Sequence, residues 1–485
     1  MVAQLPVSRG KFALPVLTAI VVGSMVGGGI FTLPGSLGRV AGPQGAILAW
    51  VIAGAGMFAF ARVLQLLALR LPELHGGIYI YAREGFGNYV GFLSVFGYWL
   101  AGCMGNCTYW VVIKATLGAY LPVFAGGHNV SSIALASAGI WTAHFIMLRG
   151  PPQSAMVNLI STIAKLVPLI VFMLVLAAAW NLQVFQANLK DTVGGTSLGQ
   201  QIKATMLVTL YTLLGVEGAS VYSAFARRRA DVGRATLLGL LVVTIILVLV
   251  TVMPYGVLAR SELAGIRQPS MAGILSAVMG PAGGVLVGAG LIISVSGAYF
   301  AWTMICAEVL FVAAHRGDMP RIFGQANDNH APVAALFASN LVVQVMMIAT
   351  YWSSAPYYMM LQLTSEMSLI PFLLTALFGT GVLCRERMRG LRRARRPANL
   401  IIAICAVIYT LLLVFAGGSR AIANTAIFYS IGSCLYIIAR KEQHQRLFNV
   451  WEKAIFVGTL IIGAWASSDL IQNGLPTPGL AEFRS

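Results

Sequence analysis

The sequence predicts an all-α polytopic membrane protein, and its composition and the spacing of its apolar stretches carry that prediction. Of 485 residues, 58% are hydrophobic and only 10% are charged, whereas a soluble protein carries about 25% charged residues. Apolar stretches long enough to cross a bilayer follow one another along the chain. The thirteen candidate spans are 13–39, 45–69, 88–121, 131–148, 153–180, 199–225, 235–258, 283–314, 331–352, 356–383, 398–416, 419–439 and 451–471.

The distribution of Lys and Arg predicts the orientation of these spans. With the N-terminus placed in the cytoplasm, the loops predicted inside hold 22 of the 32 Lys and Arg residues and the outside loops hold 6. This excess follows the positive-inside rule. The net charge of +17 and the basic cluster 385–396 therefore indicate anionic lipid as the partner, and we expect no nucleic acid.

The first span carries Gly27, Gly28 and Gly29 at mid-depth, where a helix would otherwise be most continuous. Each glycine weakens a helix by about 1 kcal/mol relative to alanine. Irregular backbone at membrane depth is tolerated only where it faces protein or a wet cavity. The run predicts two half-helices with a binding site between them; the alternative is that the glycines only permit close helix packing.

A second glycine-interrupted span, the sixth, contains Gly215 and Gly218 on either side of Glu217. It lies five spans after the first, and spans one to five and six to ten start on opposite sides. Paired breaks in oppositely oriented halves indicate an inverted-repeat transporter. We therefore expect one transmembrane domain, with a first repeat at 1–180, a second at 199–383 and additional C-terminal helices at 398–471.

The two breaks together predict a site for a zwitterion. Half-helix N-termini present free N–H groups that suit a carboxylate, and half-helix C-termini present carbonyls that suit an ammonium group. The residues expected at the first break are Ser24, Met25, Gly27, Gly28 and Gly29, and those at the second are Tyr211, Leu214, Gly215 and Glu217.

Four ionisable residues within the spans are functional candidates. Glu217 is a carboxylate at membrane depth, with capping of exposed N–H groups as its alternative role. Lys165 is too deep for easy snorkelling and can stand where an ion-coupled relative holds sodium, or else form a fixed ion pair. Glu308 and Glu366 would add negative character suited to a cationic substrate, although Glu308 could equally pair with a basic group.

Three uncharged residues complete the candidate site. Asn106 could hydrogen-bond a polar substrate side chain or serve helix packing. Tyr98 and Trp302 are mid-membrane aromatics that could contact a cation or act as gates, with core packing as the alternative. The sequence shows no catalytic set, no metal-spaced cluster and no nucleotide-binding Gly-rich motif. We therefore expect neither an enzyme nor a bound metal or cofactor.

The segment from Gly23 to Pro34 resembles the first-helix motif of the amino acid–polyamine–organocation superfamily. The segment 215–220 resembles its sixth-helix partner, and 75–81, Tyr98-Trp99 with Gly105-Asn106, and 164–168 also match. Within the superfamily, the sequence is similar to basic amino acid/polyamine antiporters, especially arginine/ornithine exchangers.

This resemblance implies a LeuT-like fold of five-plus-five inverted repeats with discontinuous helices 1 and 6. It implies substrate at Ser24–Gly29, Asn106, Tyr211–Glu217 and Trp302, gating by Tyr98, Glu217 and Trp302, and an ion-replacing amine at Lys165. The implied function is arginine/ornithine antiport in a bacterial cytoplasmic (inner) membrane. Proton-coupled uptake, for example of lysine, and exchange of another basic amino acid for its decarboxylated amine stay open. The expected partners are a cationic amino acid and the lipid bilayer, with a homodimer as the candidate assembly.

Overall fold

The computed structural model describes residues 13–71, 74, 78–124, 127, 129–150, 155–216, 229–388 and 397–473, and it is helical throughout its regular elements. The α-helices are α1 (Leu14–Met25), α2 (Leu33–Gly38), α3 (Pro43–Arg70), α4 (Ile78–Phe86), α5 (Asn88–Tyr120), α6 (Val130–Leu148), α7 (Ala155–Ala178), α8 (Leu182–Lys190), α9 (Leu198–Leu213), α10 (Arg229–Val252), α11 (Arg260–Gly265), α12 (Ser270–Met279), α13 (Pro281–His315), α14 (Val333–Ala349), α15 (Pro356–Met388), α16 (Pro397–Glu442) and α17 (Val450–Asn473).

Each of the thirteen predicted spans contains a helix in its described part, which confirms the predicted polytopic α-helical fold. Within the described ranges, nine helices are long and apolar enough to cross a membrane, or eleven if each of two bent pairs counts as one span. The count is smaller than thirteen partly because α16 runs through two predicted spans. The chain leaves helical geometry at Gly418, where φ is 66°, a conformation that glycine adopts without a Cβ penalty.

The predicted break in the first span is present. Helix α1 ends at Met25, Val26 and Gly27 are non-helical, and a 3₁₀ segment from Gly28 to Thr32 leads into α2. The two halves are bent by 48°. The Gly27 N–H donates to Met25 O at 2.9 Å instead of to the carbonyl four residues before it, so Gly23 O loses its usual helical donor.

The sixth span is also interrupted on its described side. Helix α9 ends at Leu213, Leu214 is extended with ψ of 145°, and Gly215 has φ of +98°. A residue with a Cβ is disfavoured there, which explains why the sequence has glycine at this position. Glu217 and Gly218 lie outside the described residues.

Helix α5 is the central element of the bundle, since 89% of its most apolar 18-residue stretch is buried inside the protein. It packs against α4, α13, α14 and α15. A hydrogen bond of 2.9 Å from Trp99 Nε1 to Ser339 Oγ ties it to α14. Because one helix touches so many others, residues on its faces fix the position of the site.

At one end of the bundle, Asp318 follows α13 and is 2% exposed. Its Oδ2 lies 3.2 Å from Nη1 of Arg83 on α4. Burial raises the pKa of Asp318 to about 6, although Arg83, Arg440 and Arg316 oppose that shift and Glu84 adds to it. The pair therefore joins α4 to the end of α13 at the cost of burying a carboxylate.

This arrangement predicts a pH-dependent stability. The pKa of Asp318 lies above its ordinary value of 3.8, so the folded state binds the proton more tightly than the unfolded state does. The contribution of Asp318 to stability should then be greatest below about pH 4 and should fall as the pH rises to about 6. We expect Asp318→Asn to flatten this slope, measured as unfolding temperature in detergent, whereas Asp328→Asn at an exposed position should keep it. An equal slope in Asp318→Asn and the unsubstituted protein would contradict the assignment.

Candidate functional site

A cavity lies where the first-span break meets α5, the end of α9, α13 and α15. Its empty volume is about 620 Å³, part of which is open to solvent. Nine residues predicted for the site line it, namely Ser24, Met25, Gly27, Gly28, Gly29, Tyr98, Tyr211, Leu214 and Trp302. The structure thus brings together segments that are far apart in sequence, namely the first-span break, α5, the end of α9, α10, α13 and α15.

The two breaks touch each other at the cavity wall. Ser24 Oγ lies 2.8 Å from Val21 O and 3.2 Å from Gly215 O, and its single proton can donate to either carbonyl. A Cβ on Gly215 would lie 3.0 Å from Ser24 O. Gly215 therefore meets two requirements at once, a positive φ and a close approach of the first break.

The Gly27–Gly29 run makes room for aromatic rings as well as bending the backbone. A Cβ on Gly28 would lie 3.2 Å from both Tyr109 Cδ1 and Val295 Cγ2. A Cβ on Gly29 would lie 2.7 Å from Tyr211 Cε1, closer than real Cβ atoms approach. The close-packing interpretation and the binding-site interpretation of these glycines are therefore compatible, because the rings that need the space also line the cavity.

Lys165 lies behind the first break and not in the cavity lining. It is 6% exposed, and its Nζ donates to Gly23 O at 2.8 Å. This is the carbonyl that the break deprives of its helical N–H. Lys165 on α7 therefore satisfies an acceptor that the membrane interior would otherwise leave unpaired.

Asn106 is fully buried on α5 beside the cavity, although it is not among the residues that line it. Its Nδ2 donates to Thr303 Oγ1 at 3.1 Å. Its Oδ1 has no hydrogen-bond partner among the described residues. The neighbouring Gly105 and Gly102, one turn earlier, do line the cavity.

The predicted acidic lining is not formed by the described carboxylates. Glu308 is exposed on α13, and Glu366 accepts hydrogen bonds from Gln362 Nε2 at 2.8 Å and Asn424 Nδ2 at 3.0 Å. Glu366 is fully buried between α15 and α16, and neither carboxylate lines the cavity. Glu217 lies outside the described residues, and every described residue that lines the cavity is uncharged.

Four polar or aromatic lining residues were not predicted, namely Tyr109, Thr212, Thr364 and Ser368. Helical spacing could have found some of them. Tyr98, Gly102, Gly105 and Tyr109 recur every three or four residues, which places them on one face of α5. A search for polar and small residues in register with Tyr98 would therefore have included Tyr109.

The described residues contain no group of three or more His, Cys, Asp or Glu that could hold a metal ion. The described lining of the cavity can offer backbone N–H and carbonyl groups from the break, together with the hydroxyl groups of Thr364 and Ser368 and four aromatic rings. Such groups bind a small polar solute without chemical change.

A bundle of membrane-crossing helices with a small-solute cavity at broken helices defines the class of membrane transport proteins. The chain belongs to the amino acid permease family, whose model matches residues 12–440. Family membership makes the chain a multi-pass membrane transport protein.

Similar proteins cover nearly the whole chain. An arginine/ornithine antiporter of Pseudomonas aeruginosa is 39% identical over 478 residues, which cover 97% of this chain and 99% of the relative. A putative arginine/ornithine antiporter of Escherichia coli is 39% identical, covering 94% of this chain and 97% of the relative. An arginine/agmatine antiporter of Chlamydia caviae is 38% identical, covering 91% and 92%.

Proposed function

We propose that this permease is a secondary transporter that exchanges cationic amino acids, most specifically arginine for ornithine, by alternating access. The observation that carries the proposal is the cavity walled by both helix breaks, whose described lining is uncharged and offers backbone groups to the carboxylate and the ammonium group of an amino acid. The names of the relatives from Pseudomonas aeruginosa and Escherichia coli support this substrate pair.

The α-carboxylate of the substrate would lie at Gly28 and Gly29, where the second half of the first span begins. No side chain among the described residues caps that start, so in that part of the chain its first N–H groups stay available to an anion. The α-ammonium would lie at carbonyls freed on the α1 and α9 sides of the breaks. Met25 and Leu214 end those two half-helices at the cavity.

The substrate side chain would then extend toward α5, α13 and α15. Tyr98, Tyr109 and Trp302 present rings there, and a cation over such a ring gains about 0.5–2 kcal/mol. In this proposal Tyr98 and Trp302 also gate the cavity. Glu217 is retained as a gating and substrate-binding residue on its sequence position alone.

Lys165 would act as a fixed ammonium in place of a coupling ion. Its hydrogen bond to Gly23 O supports this role, because the ammonium group itself meets the carbonyl that the break frees. The alternative is that Lys165 exchanges its proton during transport, which would make the protein a proton-coupled uptake permease.

We further propose that residues 1–180 and 199–383 form two inverted repeats and that 398–471 adds C-terminal helices. The matching breaks at Gly27–Gly29 and Gly215 support that division. The distribution of Lys and Arg supports an N-terminus in the cytoplasm of a bacterium whose inner membrane holds the protein, and a homodimer is the proposed assembly.

A competition assay tests the proposed substrate class. The purified protein should bind labelled ornithine, and unlabelled arginine, ornithine or lysine should displace it at least tenfold better than leucine or glutamate, a difference of about 1.4 kcal/mol. The physical reason is that only a cationic side chain gains from the ring faces and free acceptors at the cavity. Displacement by leucine at the same concentration as ornithine would refute cation selection.

The similarity to an arginine/agmatine antiporter supports a second candidate, exchange of a basic amino acid for its decarboxylated amine. Agmatine lacks the carboxylate that Gly28 and Gly29 would bind. Competitive displacement of ornithine by agmatine, with an affinity equal to that of arginine, would favour this candidate and would count against the carboxylate site.

A further inference from the structure

Asn106 and Thr303 form a buried pair between α5 and α13. Both side chains are fully buried, and Asn106 Nδ2 lies 3.1 Å from Thr303 Oγ1. Thr303 directly follows Trp302, which lines the cavity. The pair is therefore adjacent to the proposed substrate site, on the side where the substrate side chain would extend.

The hydrogen bonds of Thr303 determine which way the Asn106 amide faces. Thr303 Oγ1 donates its only proton to Tyr299 O at 2.7 Å, so toward Asn106 it can only accept. Asn106 must therefore direct its NH₂ group at Thr303, which leaves Oδ1 on the other side of the amide. A flipped amide would place two acceptors against each other.

Because the Asn106 amide directs its NH₂ group at Thr303, its Oδ1 atom faces away from Thr303. Oδ1 is buried and has no hydrogen-bond partner among the described residues, whereas buried acceptors are normally paired. Gly102 and Gly105 form the neighbouring part of the cavity wall and add no side chain beside Asn106. An unpaired carbonyl oxygen in such a place favours a ligand that carries N–H donors and disfavours an apolar one.

We propose that Thr303 is a positioning residue for cation selection, holding Asn106 with its carbonyl oxygen free to accept from the ammonium or guanidinium group of the substrate side chain. This inference rests on the proposed transport of cationic amino acids. Ammonium and guanidinium groups are donors only, so they match a single free acceptor. A hydrocarbon side chain leaves that acceptor unpaired.

The test compares ornithine with norvaline, which has the same carbon chain without the terminal amine. Thr303→Val keeps the shape but removes the acceptor, so the amide can turn and the ratio of ornithine to norvaline affinity should fall by about tenfold. Thr303→Ser restores the hydroxyl and should keep the ratio. Thr410→Val is the matched control, since Thr410 is a buried threonine whose hydrogen bonds to described residues stay within its own helix.

A packing role alone would lower stability without changing the ratio of ornithine to norvaline affinity. An unchanged ratio in folded Thr303→Val protein therefore overturns the inference.

If Thr303→Val does not fold, Asn106→Leu is measured instead. The affinity ratio should fall by the same amount, and an unchanged ratio would again overturn the inference. In Asn106→Leu, addition of Thr303→Val should change the ratio no further. If the unsubstituted protein preferred norvaline to ornithine, the proposed function itself would be refuted. If it preferred ornithine and Thr303→Val kept that preference unchanged, only the inference about Thr303 would fail.

Discussion

Lys165→Ala is expected to lower the rate of arginine/ornithine exchange by about 10- to 100-fold at every pH. The Lys165 ammonium is the donor to Gly23 O, at 2.8 Å. Its removal leaves a buried carbonyl unpaired, which costs about 1–3 kcal/mol, and about 1.4 kcal/mol corresponds to tenfold. The first half-helix would lose its support next to the residues proposed to bind substrate.

Lys114→Ala is the matched control for this prediction. Lys114 is a second buried lysine, but its Nζ donates to Thr350 Oγ1 at 2.9 Å, away from the break. The Lys114→Ala substitution should lower stability while preserving substrate affinity. Exchange measured across a pH series separates the two mechanisms, because a Lys165→Ala protein that still exchanges and loses only its pH dependence would favour proton coupling.

Gly28→Leu is expected to abolish substrate binding, with affinity lowered by at least about 100-fold, while the protein still folds. The new Cβ alone would lie 3.2 Å from Tyr109 Cδ1 and Val295 Cγ2, so the rest of the side chain must occupy the cavity. Overpacking of this kind costs about 1–3 kcal/mol, and loss of the substrate volume adds to it. Binding of labelled ornithine to purified protein measures the effect.

Two alanine substitutions, Gly28→Ala and Gly23→Ala, provide the controls for the Gly28→Leu prediction. Gly28→Ala should weaken binding to an intermediate degree. Gly23→Ala, five residues earlier on α1, should leave binding nearly unchanged, because a Cβ there meets no atom within 4 Å. If folded Gly28→Leu protein bound ornithine as tightly as the parent protein, the substrate would have to bind elsewhere.

The features that sequence analysis predicted well are those with a local physical cause. The glycine run predicted the break in the first span because glycines destabilise a helix wherever the helix packs. A lysine in mid-span indicated a buried acceptor or counter-ion, because an ammonium group cannot remain unpaired there. The structure places that acceptor at Gly23.

The direction of each side chain was harder to predict. Glu366 is on α15 with Thr364 and Ser368, which line the cavity. Residues two apart on a helix differ by about 200°, so Glu366 faces away from them and toward Asn424 on α16. Hydropathy does not distinguish these faces in a helix buried on several sides, so depth alone suggested a place in the cavity.

The short helices α4, α8, α11 and α12 were missed for a different reason. Each has 6 to 10 residues, too few to produce a membrane-length apolar window. Their places depend on contacts with distant segments. For example, Ser270 Oγ at the start of α12 accepts from Gly35 N at 3.0 Å. A pairing of residues 235 positions apart leaves no local pattern in the sequence.

Counterflow in proteoliposomes tests the central claim most directly. Vesicles containing the purified protein are preloaded with ornithine, arginine, agmatine, leucine or buffer, and uptake of labelled arginine is measured without a sodium or pH gradient. The proposed function predicts rapid uptake into vesicles loaded with ornithine or arginine and almost none into leucine-loaded or empty vesicles. Uptake into empty vesicles driven by an imposed pH gradient, with no stimulation by internal ornithine, would contradict exchange.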